Sequence, residues 1–363
     1  MVTSRLAEAR TPAQQEAAKI LSEALNGDRL AQNKLVEGIS TSDFPVQLTP
    51  ALNQIVLNNY AEQPKIWQNW ASREVFTDFR ESEYMQFTWD HEDEDIPGSN
   101  SGFTHTPGGL PVIPEYGEYP VIRFEATGQG LKIHKNGVQI KLSWESIVND
   151  RNFGLLRRIP GEFGRRAATQ EDVEATRPLL STTNFSAANG NVFTGNPALT
   201  ITALEDAFEF ISQQTYNGNR VVPATNYKLV IPASLEMTAR YIQNITRVER
   251  VDGVGTANEV RYESGNPVGS KFDIVVNPYL TQLGATDTSW WLIPTPGSTP
   301  NPAVINGFLA GHETPEIFVQ KTTTGDPVDG AFIDDSYSTK VRHVVTGGFV
   351  RPEATLFSDG SGS

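Results

Sequence analysis

The sequence reads as an α+β protein. Amphipathic helical stretches at residues 11–35, 49–60 and 143–180 stand apart from short runs of β-forming residues, and 30 Gly and 23 Pro are spread along the 363 residues instead of forming one tract. Such a chain buries a sizeable core, as one large domain or two ordinary ones, with many loops between its elements.

At the N-terminal end, Ala18, Ile20, Leu21 and Leu25 give residues 11–35 a modest apolar stripe before Gly27 and Asp28 interrupt it, the pattern of a helical surface arm. In the second helix Thr49 and Pro50 suit a cap and first turn, Leu52, Ile55, Val56 and Asn59 share a face, and the run stops before Pro64. Residues 75–89 alternate in part and are rich in aromatics, as strands are. Residues 90–120 combine an acidic run with repeated Pro and Gly, which excludes a regular helix or central strand, and β-forming residues return at 121–127 and 137–144. Together these predict a long protruding hairpin. Residues 143–156 and 163–180 predict one long helix kinked around Ile159, Pro160 and Gly161, or two helices in line. The Ser-, Thr-, Asn- and Gly-rich stretch 181–198 reads as a linker.

The second half reads as a mixed α/β unit. Thr202 and Glu205 suit a capping box for a helix in which Leu204, Ala207, Phe208 and Ile211 recur at helical spacing. Residues 227–231 form a buried-strand pattern closed by Pro232, residues 234–242 offer Leu235, Ala239 and Ile242 as a buried helical face, and residues 272–276 and 289–294 are further strands. Residues 338–357 begin with alternation and end in a Pro-marked turn, which predicts a strand rejoining an earlier sheet. The tail 358–363 reads as disordered.

The 43 acidic residues against 29 Lys plus Arg give a formal charge of −14, which disfavours unspecific phosphate binding and argues against a dedicated DNA-binding protein. The absence of Cys removes disulfides, thiolate metal sites and Cys nucleophiles, and suits a reducing cytosol. Neither a signal-peptide core nor a run of about 18 apolar residues is present, so a soluble cytoplasmic species is expected. Residues 252–260 lack the third Gly and the preceding strand of a phosphate-cradling loop, no Ser lies in a nucleophile elbow, and His91, His105, His134, His312 and His343 lack metal-ligand spacing. Glu92, Asp93, Glu94 and Asp95 beside His91 lack the spaced ligands and central Gly of an EF-hand and read as a solvated loop, or one facing basic residues of a neighbouring copy. Arg157, Arg158, Arg165 and Arg166 read as the charged outer face of the long helix. Of the six Trp, Trp67, Trp70, Trp144, Trp290 and Trp291 default to core, whereas Trp89 beside the polar loop leans to an interface. With no nucleophile, base or cofactor loop in view, no enzyme, cofactor or metal site is expected.

In their order, these elements resemble the major capsid proteins of tailed bacteriophages, the Hong Kong 97-type fold. The stretches LTITALEDAFEFISQQ, YKLVIPASLE, GNPVGSKFDIVVNPYL and VRHVVTGGFVRPEATLF carry the likeness by order and spacing, within an architecture that covers nearly the whole chain. The resemblance implies an N-terminal arm at 1–63, an extended loop at 83–132, a peripheral domain made of 64–82, 133–190 with its spine helix, and 336–363, and an axial domain at 191–335. It implies self-assembly into hexamers and pentamers that close an icosahedral shell around double-stranded DNA, in a virion assembled in the host cytoplasm. Portal and scaffolding proteins, and a decoration protein, are the further partners implied, without sequence-specific DNA binding and without a membrane. Intersubunit contacts are then expected from Trp89, Asp90, Glu92, Asp93, Glu94, Asp95 and Phe103 in the extended loop, with Arg157, Arg158, Arg165 and Arg166 on the spine helix as their basic partners. Some family members join Lys to Asn covalently, but no motif places that chemistry at Lys132, Lys135 or Asn136. Two alternatives stand beside this reading: an encapsulin-like compartment with the same fold, and a β-rich tail or carbohydrate-binding protein, against which the long helical stretch speaks.

Overall fold

The computed structural model describes residues 12–25, 28, 30–31, 34, 44–90, 115, 123–143, 154–216, 219–220, 224–252, 260–299, 302–320 and 336–362. In chain order these form α1 (Pro12–Leu25), α2 (Phe44–Glu62), β1 (Ser72–Phe76), β2 (Ser82–Asp90), β3 (Arg123–Leu131), β4 (Lys135–Ser143), α3 (Gly154–Thr176) and α4 (Ile201–Gln213). After them come β5 (Thr215–Tyr216), β6 (Asn219–Arg220), β7 (Tyr227–Ile231), α5 (Glu236–Asn244), β8 (Arg247–Asp252), β9 (Val260–Gly265), β10 (Phe272–Val276) and α6 (Tyr279–Gln282). Strands β11 (Trp290–Pro294), β12 (Val304–Leu309), β13 (Glu316–Val319), β14 (Ser336–Phe349) and β15 (Leu356–Ser358) complete the α+β architecture.

Two sheets organise the chain. In one, β1 runs parallel to β12, β12 antiparallel to β14, and β14 also pairs antiparallel with β13 and with β4. In the other the order is β10-β7-β11-β15, with β10 and β7 parallel and the remaining pairs antiparallel. Strict alternation splits this second sheet into two faces. Leu229, Ile231, Phe272, Trp290, Leu292 and Leu356 pack with Leu204, Ala207 and Ile211 of α4 and Ala239 and Ile242 of α5, while Val230, Val275, Trp291 and Ile293 face a separate cluster. That second cluster also contains Ala175 and Leu179 at the end of the long helix and Val304, Phe308, Val345 and Phe349 of the first sheet. The two sheets therefore share one core.

Helix α3 crosses β14 closely. An added Cβ on Gly347 would come within 1.8 Å of the Glu174 carbonyl oxygen, so only glycine allows this approach. On its other side α3 receives α2 in the same way: a Cβ on Gly164 would lie 2.3 Å from the Val56 carbonyl oxygen. Leu21 and Ala24 of α1 join Leu52, Val56, Phe163, Ile317 and Val341 in a further cluster, so the stretch read as a surface arm is docked on the body.

Several expectations change in detail. Helix α2 begins at Phe44 and encloses Pro50, because Pro45 already supplies a first-turn proline. Ser143 closes β4, and the long helix is continuous from Gly154 through Pro160 before it tightens into a 3₁₀ turn at Arg177–Leu180. The cap of α4 is Thr200, whose hydroxyl accepts from the Ala203 N–H at 3.1 Å; Glu205 instead pairs with Arg250. The stretch read as a linker is packed: Phe185 and Phe193 are buried, the Phe185 ring lies 5.1 Å from that of Phe349, and the Asn191 amide donates to the Asn184 carbonyl at 2.9 Å. Polar side chains that hydrogen-bond locally replace regular structure there. The tail is also held, since Thr288 Oγ1 donates to the Asp359 carbonyl at 2.7 Å and the Gly362 N–H to the Asn196 carbonyl at 2.8 Å. Finally, β12 and β13, which fall within the range 191–335, pair in the sheet of β14, and β15, which falls within 336–363, pairs in the sheet of β11.

Candidate assembly surfaces

Strands β2 and β3 form a two-stranded ribbon of nine register pairs, from Ser82 with Leu131 to Asp90 with Arg123, which joins neither larger sheet. Nine residues of strand extend about 30 Å. Trp89 and Asp90 end β2 at the far end, opposite Phe124 and Arg123. Glu92, Asp93, Glu94, Asp95 and Phe103 lie outside the described residues.

The four arginines all lie on α3. Arg158 is exposed, Arg165 Nη1 lies 3.7 Å from Glu162, and Arg166 Nε donates to Glu162 at 3.0 Å. Arg165 also reaches Asn59 Oδ1 at 3.4 Å. The Arg165 and Arg166 side chains nonetheless remain 55% and 72% exposed, so their intrahelical pairing leaves donors to solvent.

A buried polar centre escaped the sequence reading. Glu171 of α3 is fully buried and accepts from Tyr60 Oη and, at 3.0 Å, from Trp67 Nε1; Lys65 Nζ lies 3.4 Å away and His343 Nε2 2.9 Å away. Its neighbour Asp172 accepts from the Trp67 N–H at 2.8 Å, and the Lys65 ammonium sits 3.5 Å from the centre of the Tyr60 ring. Burial alone would raise the Glu171 carboxyl, but the His343 hydrogen bond, the Lys65 charge and the Tyr60 hydroxyl hold it below the usual range. Burial raises Asp172 to about 6, raises the Tyr60 phenol and lowers Lys65. The group clasps α2, the turn after it, α3 and β14 together, so its role is to hold the helical wall on the sheet. Its sequence signal was Ala167, Ala168, Glu171, Asp172 and Ala175 recurring on one face of α3, two carboxylates within a buried alanine stripe.

Among the described residues no group of three or more His, Asp or Glu is placed to hold a metal ion. No described helix is long and apolar enough to cross a membrane. The features that stand out are surfaces: a ribbon that pairs with neither larger sheet, with Leu131 at its base packed beside Phe76 and Ile133, and an exposed basic helix face on a two-sheet body.

Residues 127–356, more than half of the chain, match the model of the phage capsid protein family, and the chain belongs to that family. It is a phage capsid protein, a building unit of the shell. No curated protein matches the chain. Among solved structures it is similar to a phage-related protein from Bordetella bronchiseptica RB50, at 12% identity and TM-score 0.46 over 85% of this chain and 96% of the other. It is also similar to a virus-like particle protein from Pyrococcus furiosus, at 10% identity and TM-score 0.44 over 85% and 97% of the two chains. The procapsid of bacteriophage JBD30 matches at 17% identity and TM-score 0.41, over 88% of this chain and 75% of that one.

Proposed function

We propose that copies of this chain associate as hexamers and pentamers that close an icosahedral shell around double-stranded DNA, with the β2–β3 ribbon of one copy lying over its neighbour. The isolation of that ribbon carries the reading. A two-stranded sheet alone is marginally stable in water, and this one pairs with neither larger sheet. Laid on an adjacent copy, it buries apolar surface and gains support, and many such weak contacts sum to a strong closed shell.

In this reading the acidic run Glu92, Asp93, Glu94 and Asp95, with Asp90, meets Arg157, Arg158, Arg165 and Arg166 of the neighbour, and Trp89 and Phe103 supply apolar anchors. The peripheral domain is α3 with the sheet of β14, now including β12 and β13, and the axial domain is the sheet β10-β7-β11-β15 with α4 and α5. A wall built from acidic copies does not attract DNA, so filling the shell falls to a portal-based motor; scaffolding and decoration proteins are the other partners, and assembly takes place in the host cytoplasm.

The test replaces residues 91–122 by a two-residue Asn-Gly turn, which suits the register pair Asp90–Arg123. A folded subunit that forms no closed shells in electron micrographs is expected. Normal shells from this variant overturn the ribbon reading. For the charges, Arg165→Glu with Arg166→Glu is expected to reduce assembly, and Asp93→Lys with Glu94→Lys to restore it; no rescue counts against that pairing.

A further inference from the structure

We infer that Met237, Tyr241 and Ile245 form a contact surface for a second copy of this chain, an inference that rests on the shell reading above. Helix α5 has apolar residues on two faces. Ala239 and Ile242 are buried in the core, whereas Met237 and Tyr241 on the helix and Ile245 at its C-terminal cap, each four residues from the next, are 61%, 71% and 42% exposed. Thr238 and Asn244 beside them are exposed and uncharged. Among the described residues the other large exposed apolar side chains, Leu30, Val75, Phe79 and Val138, are scattered along the chain. Single exposed apolar residues are ordinary, but a stripe two turns long is not. Tyr is also a weaker helix former than the Lys, Glu or Gln suited to a solvated face, so the place of Tyr241 is explained by burial in an assembly.

The position and the charges select the occupant. Helix α5 flanks β10, the outermost strand of its sheet, where Gln243 Nε2 donates to the Phe272 carbonyl at 3.1 Å. Beside the stripe, Arg240 pairs with Glu236 at 2.7 Å and Arg247, two residues past Ile245, pairs with Glu263 at 2.9 Å. The chain as a whole carries −14, so two copies repel over most of their surfaces. A charge-balanced rim around an apolar centre lets like copies meet without that repulsion, and it offers nothing particular to a strongly acidic or basic partner.

The experiment uses the full chain carrying Met237→Ser, Tyr241→Ser and Ile245→Thr, compared with the unaltered chain by size-exclusion chromatography and electron microscopy. The expected result is a loss of about tenfold or more in shells and rings, with the melting temperature of the subunit unchanged within about 2 °C. As a second readout, the chain has no Cys, so a minority of Tyr241→Cys subunits co-assembled with the unaltered chain reports on this position alone. Fast maleimide labelling of free subunits and protection in shells is expected. Unaltered shell yield from the triple variant, or equal labelling in both states, overturns the inference and leaves the shell reading intact. Failure of the unaltered chain to form any shell or ring overturns both.

Discussion

Glu171 illustrates how a buried charge is held in this chain: four side chains from three other segments converge on one carboxylate. Glu171→Gln removes the charge opposite the half-buried Lys65 and is expected to cost about 3 kcal/mol, because a broken pair leaves the surviving ion uncompensated. Chemical denaturation measures this, and an unchanged midpoint would refute the clasp. Asp172 titrates in the opposite sense. Its folded value of about 6 lies above the unfolded value of about 4, so the folded state binds the extra proton and this group's contribution to stability falls as pH rises through that window. Asp172→Asn keeps an acceptor for the Trp67 N–H but removes the titration. Relative to the unaltered protein, the variant is expected to gain stability between pH 4 and pH 6.5; parallel melting curves across that range would contradict the assignment.

At the level of elements, the fold depends on how closely α3 lies on β14. Along that strand Val341, His343, Val345, Gly347 and Phe349 alternate toward α3 and the shared core, and Gly347 marks where the two backbones nearly touch. Gly347→Ala is expected to destabilise by about 3 kcal/mol, because backbone cannot yield as a flexible side chain does; a loss below 1 kcal/mol would mean that α3 shifts freely. The elements themselves were largely legible. Strands β7 and β10 match their sequence patterns because short, mostly apolar runs closed by Pro232 or Asn277 have few alternatives. Boundaries set by competing signals were less so: two candidate first-turn prolines, Pro45 and Pro50, left the start of α2 undecided, and Thr200 outcompetes Thr202 as a cap because its hydroxyl meets the Ala203 N–H.

Across the whole molecule, the cluster joining Trp291, Val345, Phe349, Leu179 and Trp67 belongs to both sheets, so neither unit keeps its core if the other unfolds. A single cooperative transition is expected, with near- and far-ultraviolet circular dichroism coinciding. Trp291→Ala, which opens a cavity at that junction, is expected to cost about 4 kcal/mol and to lower both signals together. Separated transitions would show that the sheets are independent. By itself the sequence determined the α+β class, the long helix, strands within 75–89 and 121–127 and the likeness to capsid proteins, because hydrophobic period, Pro and Gly positions and element order are local properties of the chain. The run 137–144, by contrast, joins β14 instead of the hairpin. Only the tertiary structure decided that β12 and β13 pair with β14, that the tail and the supposed linker are held in place, that Glu171 gathers Tyr60, Lys65, Trp67 and His343, and that one apolar stripe of α5 stays exposed. Each of these depends on residues distant in sequence meeting across a backbone path, and spacing along the chain does not encode which faces will meet.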